Sequence, residues 1–481
     1  MSDSSTALLW FRRDLRLHDN PALVNALQAF DQVLPVYIHA PDEEAPWQPG
    51  AASNWWLHNS LLALQSSLQK HHADLLIMQG DSLSVIQQLV DEYDIRGVFW
   101  NRLYEPASIK RDSLIKQTLK QAGILCHSFQ ANLINEPHSV LNGSGKPYRV
   151  FSAYWRSCES SLEQSGEPLA APEAIVTPDM SAKDVSVEAL QLMPKINWYQ
   201  GMAEFWNPGE QGALQELHRF LQMTIDGYKE DRDIPSVNGT SKLSPHLHFG
   251  EISPRQIVWS TNIHAPATAK LEEHRYRFFA ELGWREFAHY VLYHFPDTQN
   301  HSLDSRFDTD GWVDASQLAV EIERWQRGMT GIPIVDAGMR ELWHTGWMHN
   351  RVRMIVASLL CKNLGVHWLE GARWFWDTLV DADLAANSMG WQWTAGCGVD
   401  AAPYFRVFSP SRQTERFDAE GEYIRRWVPE LKKATNKQLI NGTDLQQFGD
   451  YPKPLVDLSE SRKQALSRWD QIKQAMPAKS A

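Results

Sequence analysis

Between residues 7 and 130, short unbroken apolar runs alternate with amphipathic stretches, and this alternation narrows the choice of fold more than any other feature. The runs are ALLWF, VLPVYIH, DLLIMQ, GVFWN and ILCHSF. Strands apolar on both faces are covered on both, so they predict a parallel sheet with helices above and below it. Helices are expected over about 53–71, 82–93 and 107–121. No G-x-G-x-x-G follows the first run, so the dinucleotide fingerprint of such sheets is missing. In its place stands FRRDLRLHDNPAL, which sets Arg12, Arg13, Asp14, Arg16 and Asp19 just past the first strand. Open parallel sheets bind ligands at that edge, and a solvated charged loop would have the same sequence.

Proline and glycine punctuate residues 131–208, which read as a connection carrying one short helix near 151–164. From 209 to 481 helical spacing dominates. The expected architecture is an α/β N-terminal domain with a Rossmann-like parallel sheet (residues 1–130), then the connection, then an all-α C-terminal domain. No apolar run approaches the ~18 residues of a membrane span and no charged-then-apolar leader opens the chain, so a cytoplasmic protein is expected. Cys126, Cys158, Cys361 and Cys397 are too scattered for a close-spaced metal motif and are read as reduced thiols. His246 and His248, two residues apart, would point to different faces of a helix, and no metal is expected. With 46 basic against 58 acidic residues the net charge is −12. That excludes broad adhesion to a polyanion and leaves room for a local basic patch.

Residues 343–408 concentrate Trp343, Trp347, Trp368, Trp374, Trp376, Trp391 and Trp393 among Arg351, Arg353, Arg373 and Arg406, with Asp381, Asp383 and Asp400 nearby. Buried indoles need a partner for each N–H and buried guanidiniums need acids, so such a mixture suits the lining of something large, planar and charged. An aromatic cofactor with phosphates would fit. Gly239, Thr240, Ser241, Lys242 and Ser244 offer backbone N–H groups, hydroxyls and an ammonium, which suit phosphate oxygens but also an ordinary turn. Glu281, Trp284, Arg285 and Ala288 share one face of a helix expected over about 269–294, either to grip a heterocycle or as an internal ion pair. Asp336 is expected to open a further helix and Gly346 to close it. Trp347, Asn350, Arg351 and Met354 line one face of the next. Asn387 and Trp391 stand four apart, and a buried Asn387 amide would have to find either a ring nitrogen or a structural partner.

Taken together, LLWFRRDLRLHDNPAL, GTSKLSPHLHFGEISPRQI, ELGWREF, TGIPIVDAGMRELWHTGWMHNRVRM and DADLAANSMGWQWTAGCGVDAAPYFRVFSP resemble the photolyase/cryptochrome flavoprotein family, and within it the cyclobutane pyrimidine dimer DNA photolyases. The resemblance covers nearly the whole chain, with five motifs in the family's order. It implies an N-terminal domain able to hold an antenna pigment and a helical domain holding FAD. On that footing Tyr228, Thr240, Ser241, Lys242, Leu243 and Ser244 would bind FAD phosphates and sugars. Arg353 and Asp381 would pair against the isoalloxazine, Asp383 would lie near the ring, and Asn387 would face flavin N5 and favour the fully reduced state.

On the substrate side the resemblance implies that Glu281 hydrogen-bonds the damaged bases, that Trp284 and Trp393 stack on them, and that Asn350 and Met354 complete the pocket. Arg232, Arg351 and Arg406 would meet phosphates, so an acidic protein could hold ultraviolet-damaged DNA through a few arginines around a pocket that selects. Relatives that repair the six-four photoproduct carry histidines where this chain has Asn350 and Met354, which cannot donate a proton at neutral pH. Trp391 and Trp368 match the family's photoreduction chain; for its third member Trp312 competes with an outlet through Trp374 or Trp376. Methenyltetrahydrofolate is the first expectation for the antenna and a deazaflavin the second. The implied activity is that of a deoxyribodipyrimidine photo-lyase, a carbon–carbon lyase working as a monomer. The alternative is a cryptochrome-like photoreceptor with little repair activity.

Overall fold

The computed structural model describes residues 5–163, 165–180, 186–264, 268–308 and 311–474. Its N-terminal part is a five-stranded parallel sheet of β1 (Thr6–Phe11), β2 (Gln32–His39), β3 (Leu76–Gln79), β4 (Ile95–Asn101) and β5 (Leu125–Phe129), in the order β3-β2-β1-β4-β5. Helices α1 (Pro21–Ala29), α2 (Ala51–Lys70), α3 (Ser82–Glu92) and α4 (Pro106–Gln121) connect the strands. The central strand β1 is buried at every residue, as a run without polar alternation requires. Pro35 lies inside β2, and β3 begins to pair only at Val36, so the missing N–H falls where β2 is still the edge strand. The alternation pattern does not announce α1, a nine-residue helix with three buried side chains, started by the Asn20 cap and Pro21.

In the connection, α5 (Phe151–Glu163) and α6 (Gln200–Phe205) are each absorbed into a core. Tyr154, Trp155 and Cys158 pack with Phe220, Phe278 and Phe287, whereas Met202 and Trp206 pack with Trp55 and Trp56 of α2. The remainder is helical: α7 (Glu210–Met223), α8 (Tyr228–Asp231), α9 (Ser244–His248), α10 (Pro254–His264), α11 (Ala269–His294), α12 (Ala319–Gln326), α13 (Pro333–Thr345), α14 (Asn350–Ser358), α15 (Trp368–Thr378), α16 (Leu384–Ala395), α17 (Pro410–Phe417), α18 (Glu422–Trp427), α19 (Asn436–Asn441) and α20 (Leu458–Gln474). No helix among the described residues is long and apolar enough to cross a membrane.

Two sequence expectations need correction. The loop after β1 is neither a solvated loop nor, for the most part, a ligand site. Arg16 is fully buried and donates to the carbonyls of Gly250, Asp19 and Ala131, while Asp19 accepts from Ser253 and pairs with Arg255. These groups join the sheet domain to the helical one, and Glu210 does the same by accepting from the backbone N–H groups of Leu17 and His18. Asp336 does not open its helix. Pro333 does, at the first helical position, and the buried Asp336 carboxylate reaches back to accept from Thr330 and Gly331 N–H and from the Tyr451 hydroxyl. Gly346 closes the helix as expected, in the left-handed conformation at φ 65°.

Candidate functional site

A cavity of about 640 Å³ opens in the helical part, between α8, α9, α11, α14 and α16. Tyr228, Thr240, Ser241, Lys242, Leu243, Ser244, Arg353, Asp381 and Asp383 line it, and so do Arg232, Glu281, Trp284, Asn350, Arg351, Met354, Trp393 and Arg406. Three of the predicted site residues do not: Asn387, Trp391 and Trp368 are absent from its wall.

One side of the cavity is built for charge. Arg353 makes two hydrogen bonds to the Asp381 carboxylate, at 2.9 and 3.0 Å, and donates to Met348 O at 2.7 Å. Ser244 donates its hydroxyl to the same carboxylate at 2.7 Å. Asp383 is the N-cap of α16, accepting from Ala386 N at 2.8 Å with one oxygen and turning the other toward His248 and His289. Burial works against its negative charge, but the two imidazoles outweigh it and hold the carboxyl well below its usual range. Lys242 adopts φ 53°, a conformation uncommon outside glycine, and its ammonium lies 4.1 Å from the centre of the Phe205 ring. Burial lowers its pKa.

The opposite side mixes aromatic faces with a paired acid. Along α11, Glu281, Trp284, Arg285 and Ala288 all reach the cavity, as their shared face requires. The internal ion pair weighed for this helix forms, but with Arg277 and not with Arg285. Glu281 pairs with Arg232 and, at 3.2 Å, with Arg277 one turn earlier, and Arg285 donates to Asn132 O. Arg351 is tied to Asp233 at 2.6 Å and lies over the Phe417 ring. Arg406 is exposed.

Asn387 and the two tryptophans sit one layer behind. The Asn387 amide donates to Ala372 O of α15 at 2.9 Å, the structural partner of the two alternatives, while its helix neighbours Ala386 and Gly390 face the cavity. Trp391 is buried against Phe375 and Trp325. Gly371 makes room for it: a Cβ there would lie 2.0 Å from the indole. Trp368 donates to Ser302 Oγ at 3.1 Å and neighbours His367, whose ring stands 5.1 Å from Trp312. Trp374 stacks on Trp343, which stacks on Trp198.

Cavity residues without a distinctive sequence signal are Arg277, Phe278, Met389 and His248. A second, smaller cavity lies between the sheet edge and the helical part. Trp10, Arg12, Arg13, Tyr37, Glu44, Arg111 and Trp376 line it, and His248 borders both cavities. Burial opposes the charge on Arg13, yet Glu105, Glu44 and Asp383 together hold its pKa above the ordinary value.

Residues 278–471 match the FAD binding domain of DNA photolyase, and residues 7–173 match DNA photolyase. The deoxyribodipyrimidine photo-lyase of Agrobacterium fabrum is 41% identical over 481 residues, which is 98% of this chain and 98% of its own. Cryptochrome-1 of Arabidopsis thaliana is 34% identical, covering 98% of this chain and 72% of its own length. The solved structure of a bacterial class III photolyase from Agrobacterium tumefaciens superposes with a TM-score of 0.93 at 40% identity, covering 99% of each chain.

Proposed function

The chain belongs to the DNA photolyase and cryptochrome family, and from that premise we propose that it is a light-dependent lyase which splits cyclobutane pyrimidine dimers in DNA. The observation that carries this reading is a single cavity whose walls hold both a phosphate-suited set, Thr240, Ser241, Lys242 and Ser244, and a base-suited set, Glu281, Trp284 and Met354. Its volume and donors fit FAD. When bound and fully reduced, FAD supplies on excitation the electron that opens the thermally stable cyclobutane and takes it back afterwards.

The side chains supply position and electrostatics. Lys242 and the hydroxyls of Thr240, Ser241 and Ser244 would hold the phosphates and ribose, and the Arg353–Asp381 pair would offer a fixed dipole to the ring. Arg232 and Arg277 orient the Glu281 carboxylate, so its oxygens can accept hydrogen bonds from pyrimidine N–H groups. Trp284 and Trp393 take the bases by their faces, and Met354 and Ala288 keep water from the reacting carbons. Asn350 and Met354 offer no acid, which suits a ring opening that needs none. The dimer must leave the duplex to enter, and photolyases are among the enzymes that act on extruded bases, a step that costs least for damaged, poorly paired ones. Arg351 and Arg406 meet phosphates at the rim.

Trp391 and Trp368 would form the electron relay toward a bound oxidised flavin, with Trp312, next to Trp368 through His367, as the outlet. The second cavity takes the antenna. Its rings, guanidiniums and one carboxylate suit a flat hydrogen-bonding heterocycle with an acidic tail, methenyltetrahydrofolate ahead of a deazaflavin. The test is to incubate the protein and reduced FAD with ultraviolet-damaged DNA in blue light and in darkness. Repair in light alone is expected; repair equal in both conditions, or none in light, as for a photoreceptor, overturns the reading.

A further inference from the structure

Behind Asp383, where the sheet domain meets the helical one, three side chains converge from three separate elements, Glu105 at the start of α4, His289 of α11 and Asp383 at the start of α16, with His248 of α9 beside Asp383. Ligand atoms of Glu105, His289 and Asp383 all lie within 4.8 Å of one another, and all three residues are buried. His248 Nδ1 stands 3.6 Å from the same Asp383 oxygen that His289 Nε2 approaches at 3.2 Å.

The polar chemistry here is incomplete. Neither ring nitrogen of His289, only 5% exposed, has a hydrogen-bond partner, and His248 Nδ1 has none. The imidazole approaches to Asp383 lie outside hydrogen-bonding geometry. Glu105 occupies an N-cap position yet does not cap its helix, and its carboxylate pairs with Arg13 at 2.9 Å instead. Buried polar atoms are ordinarily satisfied, and several orphans aimed at one point call for a partner.

The spacing identifies that partner. Ligands about 2.0–2.1 Å from a tetrahedral metal are separated from each other by about 3.3 Å, longer than a charge-assisted hydrogen bond and between the two imidazole–carboxylate distances seen here. Two carboxylates and one guanidinium, Arg13 at 2.9 Å from Glu105, leave the acid–guanidinium set one negative charge in excess. Mixed imidazole and carboxylate ligands suit a borderline divalent cation over Mg²⁺ or Ca²⁺.

We propose that Glu105, His289 and Asp383 form a structural site for a divalent transition metal of the Zn²⁺ class, clamping the sheet domain to the helical domain between the two cavities. The three ligands come from three separate elements, so the metal's part is to fix their geometry. It ties the loop after β4 to the cap of α16, which also carries one wall of the larger cavity. The proposal departs from the expectation that no metal is bound without using the His246 and His248 pair, whose members point apart, His246 toward Glu251.

The test uses the oxidised, flavin-containing protein, stripped with a chelator, loaded with Zn²⁺ and passed over a desalting column before elemental analysis. One equivalent of Zn²⁺ per chain is expected, falling below a tenth in both His289→Gln and Glu105→Gln. Flavin content and circular dichroism show whether each variant has folded, and either variant alone suffices. Co²⁺ loading provides a second readout, the intense visible d–d bands of tetrahedral coordination, lost in the same variants. Less than a tenth of an equivalent in the unaltered protein, or equal retention in the folded variants, overturns the proposal.

Discussion

Trp284 lies flat against Phe151, with ring centroids 3.8 Å apart and planes inclined by 11°. One face of the indole is therefore covered by protein, and the other is left for a base in the cavity it lines. Trp284→Ala should weaken binding of dimer-containing DNA by roughly 1–3 kcal/mol, the range for loss of one stacking platform, with little effect on intact duplex. Phe151→Ala removes the support but not the platform, so its effect should be smaller and in the same direction. Competition binding with damaged and intact duplexes measures both; unchanged discrimination in Trp284→Ala would contradict the stacking role.

Arg353 and Asp381 form the best-satisfied ion pair on the cavity wall, with Ser244 as a third member. Removing one partner strands the other in a largely buried setting, which typically costs about 3–5 kcal/mol. Arg353→Ala should accordingly release flavin during purification, whereas Ser244→Ala, which removes one hydrogen bond of about 1 kcal/mol, should retain most of it. The ratio of visible to near-ultraviolet absorbance of the purified proteins reads this directly.

Trp391 fits against Gly371 so closely that no side chain can be added there. Trp391→Phe should leave repair by chemically pre-reduced protein within about twofold of the original and slow photoreduction of oxidised protein at least tenfold, a difference of about 1.4 kcal/mol or more in barrier. Flash photolysis and a repair assay on the same preparation separate the two. Equal loss of both activities would show a packing role instead of electron transfer.

The sheet domain was legible because its signal is local: five apolar runs in a row leave a parallel sheet little alternative, and the strands fall on them. The face shared by Glu281, Trp284, Arg285 and Ala288 was legible for the same reason, since helical period alone brings them to one wall. Their partners were not. Glu281 pairs with Arg232, 49 residues away, and no spacing rule reaches that far. Arg16 looked like a solvent-facing charge and is buried, because its acceptors are main-chain carbonyls at Gly250 and Ala131 that carry no side-chain signature. The position of Asn387, beside the cavity but donating to Ala372 O, depends on how α15 packs on α16, which is a tertiary fact.

Glu341 and His349 give the helical domain two opposed responses to pH. Burial, only partly offset by the Tyr423 hydroxyl and the His349 N–H, raises the Glu341 carboxyl to about 7, and burial lowers His349 to about 4. A carboxyl whose folded pKa is raised stabilises the fold below its unfolded pKa, and that contribution is lost as pH climbs to about 7. A histidine whose folded pKa is depressed stabilises above its unfolded pKa, and that contribution is lost as pH falls toward about 4. The two terms, each of order 3 kcal/mol, thus run against one another across one window and flatten the total. Glu341→Gln removes only the first. The stability of that variant relative to the unaltered protein should therefore rise by up to about 3 kcal/mol as pH goes from 4.5 to 7.5, whereas His349→Asn should show the reverse trend. Urea unfolding at four pH values across this range measures both differences, and differences independent of pH would mean that neither group titrates as the buried environment dictates.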